Sequence, residues 1–269
     1  MERPSSHKIF LARLLHRLYL EGEVKKDVIA GRPNKHLDDL IKSLAQLGVI
    51  EIRDEKIVKG KAYELGSEVL FTYTVHKVSM SEKGDRSYRT KKEFVSLVPI
   101  STRYHAIHRY HYTKSPKVLR LGKVKIVNYI HERRVTGRWE IVERSQNVEL
   151  RINFDPPLEP GEFVSYGYST WDGRYYGTTV EELRRKYNID FSSEGVAVTS
   201  PTLYVKLSVS LPWKPRSVDA YTTMRKPDNT LVFSKIDQDH VFRGDLNMFT
   251  LEMKNPGMNM YSIRWTPPH

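Results

Sequence analysis

Three histidines fall at i, i+3 and i+6 in the run Tyr104-His105-Ala106-Ile107-His108-Arg109-Tyr110-His111-Tyr112. On a helix they would share one face, and neutral imidazoles are good zinc or nickel ligands. On a strand, His105 and His111 would lie on one face and His108 on the other. No carboxylate is near enough in sequence to complete a site. The expectation is therefore no metal and no cofactor, with these rings forming part of a basic, aromatic surface.

That surface is the stronger candidate for function. Residues 69–147 hold 17 Lys+Arg against 6 Asp+Glu, a net of +11, whereas residues 148–269 hold 14 against 15. Arg86, Arg89, Lys114, Lys117, Arg120, Lys123, Lys125 and Arg138 belong to the basic stretch. Lys91, Lys92, Arg103, Arg109, Arg133 and Arg134 are singled out as a secondary binding surface, since tyrosines and histidines are interleaved with them. Strand alternation would gather about half of the cations on one sheet face, where they would neutralise phosphates while rings stack on bases. The plainer alternative is a solvated sheet face whose lysines blunt its edges.

Other constellations are weaker. Trp171-Asp172-Gly173-Arg174-Tyr175-Tyr176-Gly177 is an aromatic loop flanked by glycines, suited to a ligand clamp or to capping a sandwich end. Asp237-Gln238-Asp239-His240 and Asp245 offer oxygen ligands without the loop pattern of an EF-hand. The sequence contains no glycine-rich phosphate loop, no nucleophile elbow and no metalloprotease helix. No catalytic residue is nominated, and the expectation is a protein that is not an enzyme.

The elements that would position these residues divide at Gly66-Ser67, giving domains 1–66 and 67–269. Phe10, Leu11, Leu14, Leu15 and Leu18 keep helical spacing over 7–21. Val24, Val28 and Ile29 suggest a short second helix stopped by Gly31 and Pro33. Asn34 caps a third helix with an apolar face of Leu37, Leu40, Ile41, Leu44 and Leu47, and Gly48 ends it. Val49-Ile50-Glu51-Ile52 and Ile57–Leu65 then form a hairpin. Three short helices followed by a hairpin resemble the winged helix-turn-helix of archaeal and bacterial transcription regulators. The resemblance rests on Leu37–Ile50 and on Lys59-Gly60-Lys61-Ala62-Tyr63-Glu64-Leu65, about a quarter of the chain.

That resemblance implies major-groove entry by the third helix, with Lys35, His36 and Lys42 as contacts, and phosphate contacts from Arg53, Lys56, Lys59 and Lys61 in the wing. Asp38 and Asp39 on the same helix oppose a phosphodiester backbone, and favour protein contact or dimerisation instead.

From Val69 the period changes to two. Strands are expected at 69–76, 88–98, 104–112, 123–131, 137–143, 147–154, 162–171, 202–212, 216–225, 230–235, 247–254 and 259–266. One inserted helix is expected at about 179–187, with capping-box spacing in Thr179-Val180-Glu181-Glu182. The fold class expected is α+β: a small winged helix followed by a large antiparallel β-sandwich, immunoglobulin-like or jelly-roll-like. Phe154-Asp155-Pro156-Pro157-Leu158-Glu159-Pro160-Gly161-Glu162 and the closing Tyr261-Ser262-Ile263-Arg264-Trp265 resemble a poorly characterised prokaryotic β-sandwich module.

At 269 residues, with 28% charged residues, net charge +12 and no cysteine, disulfides and thiolate chemistry are excluded and an anionic partner is favoured. Met1–His7 shows no apolar signal core and no run is long enough to span a bilayer, so the expectation is a cytoplasmic protein without a membrane partner. The functional expectation is a DNA-binding, regulator-like protein taking duplex DNA, as a homodimer, with the β-sandwich as sensor or protein-interaction domain. The alternative is an adaptor in a prokaryotic defence or signalling assembly, its winged helix used for protein contact.

Overall fold

A computed structural model describes residues 6–25, 35–108, 117–143, 147–226, 228–236, 242–245 and 247–268. Helix α1 (Ser6–Glu21) buries Phe10, Leu11, Ala12, Leu14, Leu15 and Leu18. It stops at Gly22, and the chain continues as strand β1 (Glu23–Lys25). Helix α2 (Lys35–Gln46) buries Ile41 and Leu44. Its end needs Gly48: at φ 67° this residue lets its own N–H reach Ala45 O (3.0 Å) and the Val49 N–H reach Leu44 O (2.9 Å). Strands β2 (Ile50–Arg53) and β3 (Lys56–Lys59) complete a small sheet of order β1-β3-β2, and α3 (Lys61–Glu64) leads out.

The remainder is strand-rich. An eight-stranded sheet contains β4 (Val69–Met80), β5 (Arg86–Ser96), β7 (Lys117–Leu121), β8 (Lys125–Val127), β11 (Phe163–Asp172), β13 (Tyr204–Ser210), β16 (Phe242–Asp245) and β17 (Met248–Lys254). Its order is β16-β17-β13-β4-β5-β11-β7, with β8 also on β11. A three-stranded sheet holds β6 (Ile100–His108), β10 (Asn147–Leu158) and β9 (Thr136–Glu143). A four-stranded sheet holds β12 (Ser192–Ala197), β18 (Met260–Thr266), β14 (Ser217–Arg225) and β15 (Leu231–Lys235). Helix α4 (Val180–Tyr187) precedes β12. Thr179 caps it by accepting the Glu182 N–H at 3.1 Å.

The main core lies between the eight- and four-stranded sheets. Val78, Val205, Leu207, Val209 and Leu251 meet Ala220, Tyr261, Ile263 and Trp265, the last only 1% exposed. The three-stranded sheet adds Ile152, Phe154 and Leu158 against Phe71, Phe94 and Val164. Helices α1 and α2 share a third apolar cluster with Leu70, Val95, Leu97 and Phe163. Helix α1 thus covers one end of the outer face of β4, β5 and β11. Lys8 Nζ fixes it there, 2.6 Å from Glu93 Oε2.

Several expectations are corrected. The chain is a multi-sheet, largely β fold with few helices among the described residues, and the N-terminal segment does not stand as a transcription-regulator winged helix-turn-helix. Val24, expected to open a second helix, lies on β1, paired with Ile57; Val28 and Ile29 fall outside the described residues. The outward face of α2 is partly occupied, because Asn255 Nδ2 donates to Ser43 Oγ (3.0 Å) and Gln46 Oε1 (3.2 Å). A helix held against a β-turn in this way cannot sink that face into a groove. The large sheet is also not wholly antiparallel, since β13 runs parallel to β4.

Candidate nucleic-acid interface

Alternation along β5 decides which cations face solvent. Arg86, Tyr88, Thr90, Lys92 and Phe94 point into the molecule, while Ser87, Arg89 and Lys91 point out. The register carries the outward set across the sheet. Lys77 on β4 is opposite Arg89, Arg89 is opposite Ser169 on β11, and Ser169 is opposite Arg120 on β7. Lys77 also lies beside Ser208 of β13. The row from Lys77 to Arg120 spans three strand spacings, roughly 14 Å.

Neighbouring rows continue the pattern. Lys91 is opposite Val75 and Gly167, and its Nζ lies 5.6 Å from the Tyr73 ring. Lys117 is opposite Trp171, with Nζ 5.8 Å from that ring. Between the cations the floor is small: Ser79, Ser87, Gly167, Ser169, Ser208 and Ser210. Gly167 is required by its neighbours, because a Cβ there would sit 2.6 Å from Thr90 O.

Among the described residues, Lys77, Arg89, Lys91, Lys117 and Arg120 make no ion pair. On this face Glu93 and Glu252 are taken by Lys8 and Lys206, and Asp245 lies away from the row on the edge strand β16. Like charges directly opposite one another in a sheet destabilise it, so the Lys77–Arg89 pair costs the free protein stability that an anionic ligand would restore.

The residues nominated from sequence are dispersed. Lys35, His36 and Lys42 are exposed on α2, with the His36 ring 5.6 Å from His7. Arg53 donates twice to Glu51 at 3.0 Å, Lys56 reaches Glu23 at 2.7 Å, and Lys59 lies over the Tyr19 and Tyr63 rings; Lys61 is exposed. Lys91 and Lys92 occupy opposite faces of one strand. Arg103 is half-buried, 3.8 Å from Glu68 and over the Phe71 ring. Arg133 is held by Glu159 at 2.5 Å and by Pro157 O, and Arg134 is exposed.

Arg109 and His111 lie outside the described residues. His105 and His108 are described as backbone of β6, opposite Leu150 and Asn147, so they have strand rather than helix spacing and no common helix face. Among the described residues no group of three His, Cys, Asp or Glu is placed to hold a metal ion. Composition does not single out Lys77, Arg89, Lys117 or Arg120; the signal that does is the parity of each cation along its strand.

A second constellation lies inside. Arg86 donates to both Glu194 oxygens (2.9 and 3.0 Å) and to Asp172 (3.3 Å), with its guanidinium 4.5 Å from the Tyr88 and Tyr175 rings. The Tyr176 hydroxyl also donates to Glu194. Burial alone would lower the Arg86 pKa, but Glu194, Tyr176, Tyr175 and Asp172 outweigh it and hold the guanidinium protonated. Burial raises the Asp172 carboxyl despite Arg86. His76 contacts the Tyr88 hydroxyl through Nδ1, while Nε2 has no hydrogen-bond partner among the described residues. Burial, then Lys92 and Arg86, depress the His76 imidazole well below its usual value. Lys92, 9% exposed, is lowered to about 7 by burial and by Arg103.

No family model matches the sequence, and no curated protein does. Neither the transcription-regulator resemblance nor that to the β-sandwich module gains support from them. Among solved structures, the chain is similar to one described as a candidate protease from Parabacteroides distasonis, at 12% identity and TM-score 0.42, over 75% of this chain and 41% of that one. It is also similar to an M1 zinc metallopeptidase from Deinococcus radiodurans, at 11% identity and TM-score 0.36, over 74% and 42%. This chain therefore spans about two-fifths of the length of those proteins. Neither their fold nor their activity is transferred to it.

Proposed function

We propose that the chain is a non-enzymatic nucleic-acid-binding protein whose ligand lies on the outer face of the eight-stranded sheet, with duplex DNA the first ligand to test. The observation that carries this reading is the row Lys77–Arg89–Arg120, unneutralised and floored by serines. A cationic sheet face of this kind contacts phosphates rather than base edges, so binding follows charge more than sequence. The Tyr73 and Trp171 rings beside the row give unpaired bases a place to stack.

Arg89→Glu with Lys91→Glu is expected to abolish measurable binding at ~150 mM salt and to flatten the salt dependence by about 0.9 per lost duplex contact in the log–log slope. Lys35→Glu with Lys42→Glu serves as the control and leaves binding nearly unchanged. Fluorescence anisotropy with duplex and single-stranded probes over a salt series measures both pairs. Wild-type affinity in the sheet variant would overturn the proposal. Single strands retaining the tighter binding would make stacking, not duplex phosphates, the main contact.

A second reading, an adaptor that binds a protein or a second copy of itself, is favoured by one observation. Leu231, Phe233 and Met260 are 47%, 51% and 43% exposed on one face of the four-stranded sheet, around an Arg264 guanidinium 4.4 Å from the Tyr221 and Phe233 rings. Exposed apolar residues around an arginine–aromatic stack suit protein contact. No helix among the described residues is long and apolar enough to cross a membrane.

A further inference from the structure

Helix α1 turns one face toward the sandwich and leaves another beside the 128–131 segment. Between them lies a groove of ≈ 460 Å³ lined by Ser6, Ile9, Phe10, Arg13, Leu14, His16, Arg17 and Ile130. Its volume is within the range of small-molecule sites, about 300–1,000 Å³. Its composition has two parts. Ile9, Phe10, Leu14 and Ile130 make an apolar floor and wall, and Arg13, His16 and Arg17 add basic groups. No carboxylate lines it.

The far wall is ordered by hydrogen bonds. Asn128 Oδ1 accepts the N–H groups of Ile130 (2.8 Å) and His131 (2.9 Å), and Asn128 Nδ2 donates to Glu162 at 2.8 Å. The near wall is fixed by close packing, since a Cβ on Gly161 would fall 2.6 Å from Ala12 O and 3.0 Å from Ile130 Cδ1. The groove is thus formed before any ligand arrives.

The basic groups are available. Arg13 makes no ion pair among the described residues, and Arg17 meets Glu21 only at 4.0 Å. As an i, i+4 pair on one helix face the two guanidinium groups repel each other unless an anion lies between them. His16 Nδ1 faces the Pro160 carbonyl at 3.2 Å and must donate to it, and the ring lies edge-on to His131 with centroids 5.2 Å apart.

We propose that this groove binds a small amphipathic carboxylate of the medium-chain alkanoate class. The carboxylate lies at Arg13 and Arg17, and the alkyl body lies on Ile9, Phe10, Leu14 and Ile130. Charge complementarity selects the anionic head, and guanidinium groups match carboxylate geometry. The apolar floor selects a tail and gives a bare inorganic anion nothing to bury. This site is separate from the outer sheet face and does not depend on nucleic-acid binding.

The test is isothermal titration of the full chain with decanoate, decanol and acetate. Decanoate is expected to bind saturably at one site, with acetate silent and decanol about tenfold or more weaker, the loss that follows from removing a charge-assisted contact. Arg13→Gln with Arg17→Gln should weaken decanoate by a similar factor, and both residues are exposed, so the fold is retained. Ile130→Trp, which fills the groove, should abolish binding. Arg89→Glu with Lys91→Glu should leave decanoate binding unchanged, which separates this site from the sheet face. Equal binding of decanol and decanoate, unchanged affinity in the double arginine variant, or no saturable decanoate binding would each overturn the proposal.

Discussion

Arg86→Met is expected to destabilise the protein by about 3–5 kcal/mol, the cost of leaving buried charges without their partner. Glu194 and Asp172 are 6% and 1% exposed; Glu194 faces Arg86 across the sandwich, and Asp172 is its cross-strand neighbour in the same sheet. Without the guanidinium they must either stay ionised in a dry interior or take up protons. The deficit should therefore shrink as pH falls, because a neutral carboxyl no longer needs a counter-charge. Adding Glu194→Met should recover part of the loss, since replacing a whole buried pair with apolar groups is far milder than breaking it. Urea denaturation of the three proteins across pH 5–8 measures these differences. A loss below about 1 kcal/mol in Arg86→Met, or a double variant no better than the single, would show that the network does not hold the two sheets together.

The same network explains why part of the fold was hidden in the sequence. Helices α1 and α2 were legible because Phe10, Leu11, Leu14, Leu15 and Leu18, and likewise Ile41 and Leu44, repeat at helical spacing and are buried. Strands such as β13 and β18 were legible because apolar residues alternate along them. β12 was not, since its inward residues are Ser192, Glu194 and Val196. A buried glutamate is indistinguishable from a solvent-facing one until Arg86, 108 residues away, is placed against it.

The basic surface was half legible for a related reason. Composition located the charge, but Lys91 and Lys92 are equivalent in composition and opposite in the sheet. The buried run Lys92–Leu97 breaks alternation because α1 covers the outer face at that end. That packing rests on contacts such as Lys8–Glu93, 85 residues apart, which no local pattern announces. The spacing of His105 and His108 was ambiguous until β6 fixed the period at two.

Lys92→Met should stabilise the protein, and the gain should depend on pH in a defined direction. Lys92 has a folded pKa of about 7 against an ordinary value of 10.5, with burial the main cause and Arg103 the second. Between those values the unfolded chain binds a proton that the folded chain does not. Stability of the wild type therefore climbs as pH rises from about 7 toward 10.5. Below pH 7 both states are protonated and the full penalty of a buried ammonium is present. The methionine side chain removes that penalty with a similar apolar stem.

The variant should therefore exceed wild type by on the order of 2–5 kcal/mol at pH 6–7, with the gap closing above about pH 10. His76, depressed by burial and then by Lys92 and Arg86, is neutral in the folded protein and adds an acid sensitivity below its ordinary value of 6.5, which Lys92→Met eases and which therefore widens the gap at the acid end. Denaturation curves for wild type and Lys92→Met from pH 5 to 10 give the gap directly. A gap that is constant with pH would show that Lys92 keeps its charge in the fold. A destabilised variant at pH 6 would show that its ammonium is compensated inside by a partner worth more than the cost of burial.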